Sequence, residues 1–271
     1  MQATLTPTMQ PQAVVSLRYP VRPDLEAWVL PEGKVPEATA HQMAVYRIYG
    51  LLLAWSQRIR PERSVRIAAD LAVRWLEQFP RTGADPDVCV LEPGPEDFDD
   101  LKSLRLWEPG RVPPRLAIEV VSSSLPHKDY GSIQERYAAM GVEELVVFDP
   151  LLHGPRSLGG PVALQLWRQD ATRAFERVQF GAEPVHSAVL DAWFIADGRD
   201  LQISNDRRGR ERWLTAEERL STAQADAERA QADAERAQAG AERAQADAER
   251  ERQARLSLEA RLRELEAKLS R

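Results

Sequence analysis

Between Asp85 and Pro150 the apolar residues gather in three short runs, Val88-Cys89-Val90-Leu91, Leu116-Ala117-Ile118-Glu119-Val120-Val121 and Leu145-Val146-Val147-Phe148. Prolines, glycines and serines fall between the runs. Runs this short with little polar alternation predict buried strands, and the segment between the last two has room for one crossover helix, from about Gly131 to Met140 and ending at Gly141. Upstream, Val45, Ile48, Leu52, Trp55 and Ile59 recur at helical spacing behind Thr39, a residue suited to an N-cap. They predict a core helix ending near Arg60-Pro61. From Val65 to Trp75 every odd position is apolar, the period of a strand, with a bend expected near Ala69-Asp70.

The remaining segments are shorter. Trp28-Val29-Leu30 reads as an edge strand, and residues 1–25 as an extended lead-in. Val162 to Trp167, Phe175 to Phe180, Ala192 to Ile195 and Leu201 to Ile203 read as strands that close the domain, each too short to found a second core. Between Pro93 and Pro114, proline, glycine and the acids Glu96, Asp97, Asp99 and Asp100 predict a loop or partly ordered insertion. Asn205 to Arg212, with four arginines, reads as a solvated hinge rather than a phosphate contact.

From Ala227 the period becomes seven. With Ala227 at heptad position a, alanines occupy a and d through Ala248, and the same frame then collects Leu258, Leu262, Leu265 and Leu269, interrupted by Glu251 and Arg255. A register that passes from an alanine seam to a leucine seam predicts a coiled coil and hence a homo-oligomer, although the a and d positions alone set neither strand number nor orientation. The expected organisation is 1–25 lead-in, 26–204 α/β domain, 205–220 hinge and 221–271 coiled-coil tail.

Composition narrows the function. The lone cysteine, Cys89, excludes an internal disulfide, reads as an inert buried thiol, and makes the cytoplasm the expected location. The amino-terminal residues have neither the basic flank nor the apolar run of a signal peptide, and the longest aliphatic cluster, Leu51 to Trp55, is too short to cross a bilayer. Net charge is −6, and the residues before Ser221 carry 26 lysines and arginines against 31 aspartates and glutamates. Such a body does not hold nucleic acid by overall basicity.

Two carboxylates interrupt the apolar strands. Asp87 shares a strand face with Cys89, and Glu119 shares one with Ala117 and Val121. An ionised carboxylate in such a run is costly unless paired, either by a divalent cation shared between the two or by an arginine at each strand end.

Pro86-Asp87, Glu119-Val-Val-Ser-Ser-Ser, Asp129, Tyr137, Gly141-Val-Glu-Glu and Phe148-Asp149-Pro150 together resemble the Uma-type restriction endonuclease family of the PD-(D/E)XK nuclease superfamily. The likeness spans about Trp28 to Asp200. It implies a restriction-endonuclease-like α/β fold, a mixed sheet flanked by helices, and hydrolysis of DNA. It also implies Asp87 and Glu119 as ligands of Mg²⁺, or of Mn²⁺ in its place, with the Val120 carbonyl beside them. The lysine that the superfamily carries two residues beyond the glutamate is here Val121, and the alternative family positions on the next helix hold Ile133 and Arg136. The remaining candidates for its place are Lys128, Gln134 and Arg136, of which Lys128 or Arg136 is expected to supply electrostatic stabilisation; an arginine stabilises negative charge but is no base at neutral pH. The resemblance also matches His41, read as a local hydrogen-bonding residue, Asp129, read as a first-turn or capping acid, and Tyr137, read as a core aromatic with a tethered hydroxyl. Glu32 and Glu37 lie just upstream of His41. The rival expectation is a nuclease fold that has lost catalysis and serves as an oligomeric scaffold.

Overall fold

A computed structural model describes residues 18–19, 25–26, 28–30, 39–59 and 64–269. Glu32, Glu37 and most of the expected lead-in lie outside the described residues. In chain order the elements are β1 (Arg18–Tyr19), α1 (Thr39–Ile59), β2 (Arg66–Ala69), β3 (Ala72–Arg74), β4 (Val88–Leu91), β5 (Ser103–Arg105) and β6 (Leu116–Val120). There follow α2 (Ile133–Met140), β7 (Glu144–Phe148), β8 (Leu164–Gln169), β9 (Phe175–Gly181), β10 (Val185–Ser187), β11 (Ala192–Asp197), β12 (Asp200–Ser204) and α3 (Ala216–Leu269).

The three apolar runs become β4, β6 and β7, adjacent strands in a seven-stranded sheet of order β1-β9-β8-β7-β6-β4-β2. Only β6 and β7 run parallel in it. Parallel neighbours need a crossover, and α2 lies between them in the chain. Because strand side chains alternate, the sheet buries two faces. Even positions (Val88, Val90, Ile118, Val120, Val146, Phe148) meet Val45, Ile48, Leu52 and Trp55 of α1, together with Phe194 and Ile203 of the small sheet β10-β11-β12. Odd positions (Cys89, Ala117, Val121, Val147) meet Ile133, Tyr137 and Ala138 of α2. The chain is thus a mixed sheet between helical layers, the expected fold class. Cys89 is wholly buried, and desolvation pushes its thiol up to about 12, which keeps it inert.

The bend near Ala69-Asp70 is present: Asp70 separates β2 from β3 with φ +53°. The insertion between Pro93 and Pro114 is more ordered than its composition predicts. It supplies β5, which pairs parallel with β3 and buries Leu104, while Asp97 is clamped by Arg111 at 2.6 Å. The acidic run lies in an ordered loop whose strand was hidden by its three-residue length.

Two compact units divide the chain, residues 1–216 and 217–271. Residues 205–215, expected as the start of a hinge, belong to the first. Trp213 is buried and stacks on Trp55 at 5.5 Å with ring planes 9° apart, and its indole N–H donates to Asn205 Oδ1 at 2.7 Å. Asp206 accepts the backbone N–H groups of Arg208, Arg210 and Glu211, so the arginine stretch is a closed turn. The second unit is helical from the outset, and its Leu258, Leu262 and Leu265 are exposed.

If Trp213 closes the core, Trp213→Ala should cost about 3–5 kcal/mol, the range for emptying a buried aromatic site. Urea unfolding followed by tryptophan fluorescence measures this, and a loss below about 1 kcal/mol would make residues 205–215 a mere linker.

Candidate active site

The register of β4 against β6 pairs Val88 with Ile118 and Cys89 with Ala117. One step further along the ladder sets Asp87 opposite Glu119. Residues directly opposite carry Cβ atoms about 5 Å apart. Their odd numbers place both on the α2 side of the sheet. Asp87 Oδ2 accepts the Val120 N–H at 2.7 Å, which fixes the carboxylate at the end of β6 and leaves Oδ1 without a protein hydrogen bond among the described residues. Glu119 Oε1 accepts the Tyr137 hydroxyl from α2.

Among the described residues no arginine forms an ion pair with either carboxylate. The cation nearest Glu119 is Lys128, whose Nζ lies 3.9 Å from Glu119 Oε2. It stands on a π-helical turn, Lys128–Ser132, that leads into α2, with the Ile133 N–H bonding back to the Lys128 carbonyl. That turn is anchored from outside the cleft. The Tyr130 hydroxyl donates to Asp149 Oδ2 at 2.8 Å and accepts the Val162 N–H at 3.0 Å. Its ring lies so close to Gly154 that a Cβ there would sit 2.0 Å from it, so only glycine fits. Val121, where the resemblance leads one to look for a lysine, is buried in the core against α2.

Three further groups complete the cleft. His41 reaches from the first turn of α1, its Nε2 2.9 Å from the Val120 carbonyl and 3.3 Å from Asp87 Oδ2. A carbonyl can only accept, so Nε2 carries the proton. This alters two expectations: His41 bridges α1 to the carboxylate site, and the Val120 carbonyl, expected beside the metal, is already engaged. Asp129 is not a helix cap but stands in the first turn of the helical segment, the other of its two expected places. It is 3% exposed, supported by the Ser122 N–H, and it joins Asp85, Asp87 and Glu119 in one cleft of about 620 Å³ that Arg74 and Arg136 also line. Gln134, a candidate for the missing lysine's place, is instead wholly buried and donates to the Asp129 carbonyl at 3.0 Å. Asp85 was not singled out from sequence, although its parity with Asp87 was the available signal.

Four carboxylates surround Lys128, and the electrostatics are those of too much negative charge out of water. Burial, with Asp87 and Asp129 nearby, drives the Glu119 carboxyl well above its ordinary range despite Lys128. Burial and the Asp87 charge bring Asp129 to about 7, and burial raises Asp85. The same acids, Glu119 foremost, raise Lys128 and keep it protonated. Such a set suits a hard divalent cation, which takes oxygen donors and relieves their repulsion. Among the described residues no three His, Cys, Asp or Glu side chains form a ready-made metal cluster.

Residues 16–185 match the Uma2 family, described as "Putative restriction endonuclease". The chain belongs to the Uma2 family. Among solved structures, one described as a putative nuclease belonging to DUF820 from Anabaena variabilis ATCC 29413 aligns at 14% identity and a TM-score of 0.38, covering 59% of the Uma2 chain and 80% of the other. A comparison with curated proteins gave no match. Among the described residues of this Uma2 protein, no helix is long and apolar enough to cross a membrane.

The raised Asp129 carboxyl has a measurable consequence for this Uma2 chain. Its folded form binds a proton more tightly than the unfolded form, so its contribution to stability is full below about pH 4 and is lost as pH rises to about 7. In chelator, thermal stability should therefore fall between pH 4 and 7, and Asp129→Asn should flatten part of that slope, leaving the part due to Glu119. Equal slopes in parent and variant would show that Asp129 titrates normally.

Proposed function

We propose that this protein is a divalent-metal-dependent endonuclease that hydrolyses phosphodiester bonds of DNA, with Asp87 and Glu119 as the metal ligands. The observation that carries the proposal is the opposed, desolvated pair Asp87 and Glu119 with Lys128 3.9 Å from Glu119 in the same cleft. Mg²⁺, or Mn²⁺ in its place, would neutralise phosphate charge and lower the pKa of water there. The chain's own residues do the rest. Tyr137 holds the Glu119 carboxylate by one oxygen, leaving the other toward Lys128. His41 and the Val120 N–H hold Asp87 by Oδ2. Lys128, protonated, offers positive charge to the phosphoryl oxygens as negative charge builds on them, and Arg136 adds to the field over Asp85. In the net reaction a water oxygen joins phosphorus, the bond from phosphorus to the leaving strand breaks, and the water's proton ends on the leaving oxygen.

The competing reading, a nuclease fold without catalysis, draws its strength from the missing lysine at Val121 and from the acidic body. Lys128 reaches the same glutamate from the π-helical turn, which supports the enzyme. We read α3 as the oligomerising part of the protein, a coiled coil whose leucine section supplies most of the buried area.

Incubating purified protein with supercoiled plasmid and Mn²⁺ or Mg²⁺ tests the reading. Nicking is expected from the parent and not from Glu119→Ala, and Lys128→Ala should lose about 10²–10³-fold, as removal of one transition-state donor does. Full activity in both Lys128→Ala and Arg136→Ala would discard their electrostatic role. Separately, the melting temperature should rise with Mg²⁺ in the parent, by about 2.7 kcal/mol of added stability at a hundred times Kd, and not in Asp87→Ala. A shift that survives in Asp87→Ala places the ion elsewhere.

A further inference from the structure

Leu258, Leu262 and Leu265 of α3 are 64%, 58% and 52% exposed, a larger apolar display than a helix in water retains without a partner. In the heptad frame they are d, a and d, and the flanking positions are charged in a pattern the seam alone does not require. Asp247 and Arg261 stand at g, and Arg252, Glu259 and Glu266 at e. We propose that α3 pairs parallel and in register with α3 of a second copy of this chain, so that Asp247 meets the partner's Arg252 and Arg261 meets the partner's Glu266.

The argument is charge complementarity. In a parallel pair, each g residue faces the e residue five positions on in the other helix. Both charged pairs are then of opposite sign, while Asp226 and Asp233 face glutamines at 231 and 238. In an antiparallel pair g faces g and e faces e. With leucines on leucines, that sets Glu259 against the partner's Glu266, and sliding the helices to avoid this takes the leucines off one another and onto Glu251, Arg255 or the alanines. Among pairings that set leucines on leucines, the parallel one alone puts opposite charges on the flanks, with Glu251 and Arg255 each meeting its own counterpart in the seam. Two strands rather than three follow from Arg255 at an a position. Its guanidinium lies along its own helix, Nε 3.3 Å from Glu259 Oε1 at e, a route to the open flank of a two-stranded seam that a closed three-stranded core lacks. Since the body precedes the helix in both copies, the pairing tethers two carboxylate clefts to one end of the coil. A substrate held by one is then at high local concentration for the other, a consequence that rests on the nuclease reading.

The full-length Leu258→Cys variant tests the orientation, because the native Cys89 is wholly buried and takes no part. Mild oxidation should give a covalent dimer, and sedimentation of the reduced protein a dimer. Arg261→Glu and Glu266→Arg should each weaken self-association several-fold, and mixing the two variants should restore it as a heterodimer. A sedimenting dimer that does not cross-link overturns the parallel arrangement, and a monomer or trimer overturns the pairing itself. None of these readouts depends on cleavage, so an inactive protein that cross-links removes the nuclease reading and leaves this one standing.

Discussion

The site depends on the register between β4 and β6. Pairing Val88 with Ile118 brings Asp87 across from Glu119 at the end of the ladder, and Asp87 Oδ2 then takes the place of a backbone acceptor for the Val120 N–H. Because strand side chains alternate with a period of two, a slip of one residue would turn Glu119 toward α1, away from Tyr137 and Lys128, and would expose the apolar set on both faces to the wrong layer. The apolar core holds this register: Val88, Ile118 and Val146 are fully buried beneath α1, and Cys89, Ala117 and Leu145 beneath α2. The carboxylates contribute little to that choice. They are carried into position by the packing of the residues between them.

What they cost is visible in the chemistry around them. Glu119, Asp129 and Asp85 all hold protons more tightly than they would in water, and burial is the first cause in each case. A protein selected only for stability would fill such a cleft with apolar residues, since buried charges are repaid only by good pairing. Here one lysine serves several acids. The surplus of negative charge is what a bound cation would relieve, so the local destabilisation and the proposed metal site are two aspects of one arrangement.

Much of the sheet was legible because β4, β6 and β7, buried on both faces, read as short continuous apolar runs. The two acids stood out for the same reason, each being a polar residue in a run that tolerates none. Lys128 was harder. Its direction is set by a π-helical turn in which Ile133 bonds back five residues, and a helix phase of 3.6 extended backwards from α2 does not lead to it. Its proximity to Glu119 also depends on Tyr130 being wedged against Gly154, a contact between residues 24 apart in sequence. Asp129 stands in a first helical turn, one of its two expected places, but its turn toward the cleft and the Ser122 N–H left no local trace, because an acid at a helix start looks the same whichever way it points. The strand β5 and the placement of Trp213 were hidden by shortness and by distance, since three residues show no period and a stack on Trp55 leaves no local trace.

An acidic body acting on a polyanion is a real tension in the proposed function, and its resolution constrains how binding would work. The affinity of a protein for duplex DNA that comes from neutralised phosphates grows with their number, and log K falls with log salt at about −0.9 per phosphate. The cleft offers Lys128, Arg74 and Arg136, and its acids outnumber them. The cleft's own cations can neutralise few phosphates, so the electrostatic attraction expected from the cleft is small. In the proposed function affinity would then come from the cation, which would reverse the local field at the carboxylates, and from the proposed linkage of two clefts, where the second contact is made at high effective concentration. On that account the proposed pairing of tails would compensate for a body that repels the proposed substrate at long range, a physical reason for joining a long heptad helix to an acidic nuclease-like fold.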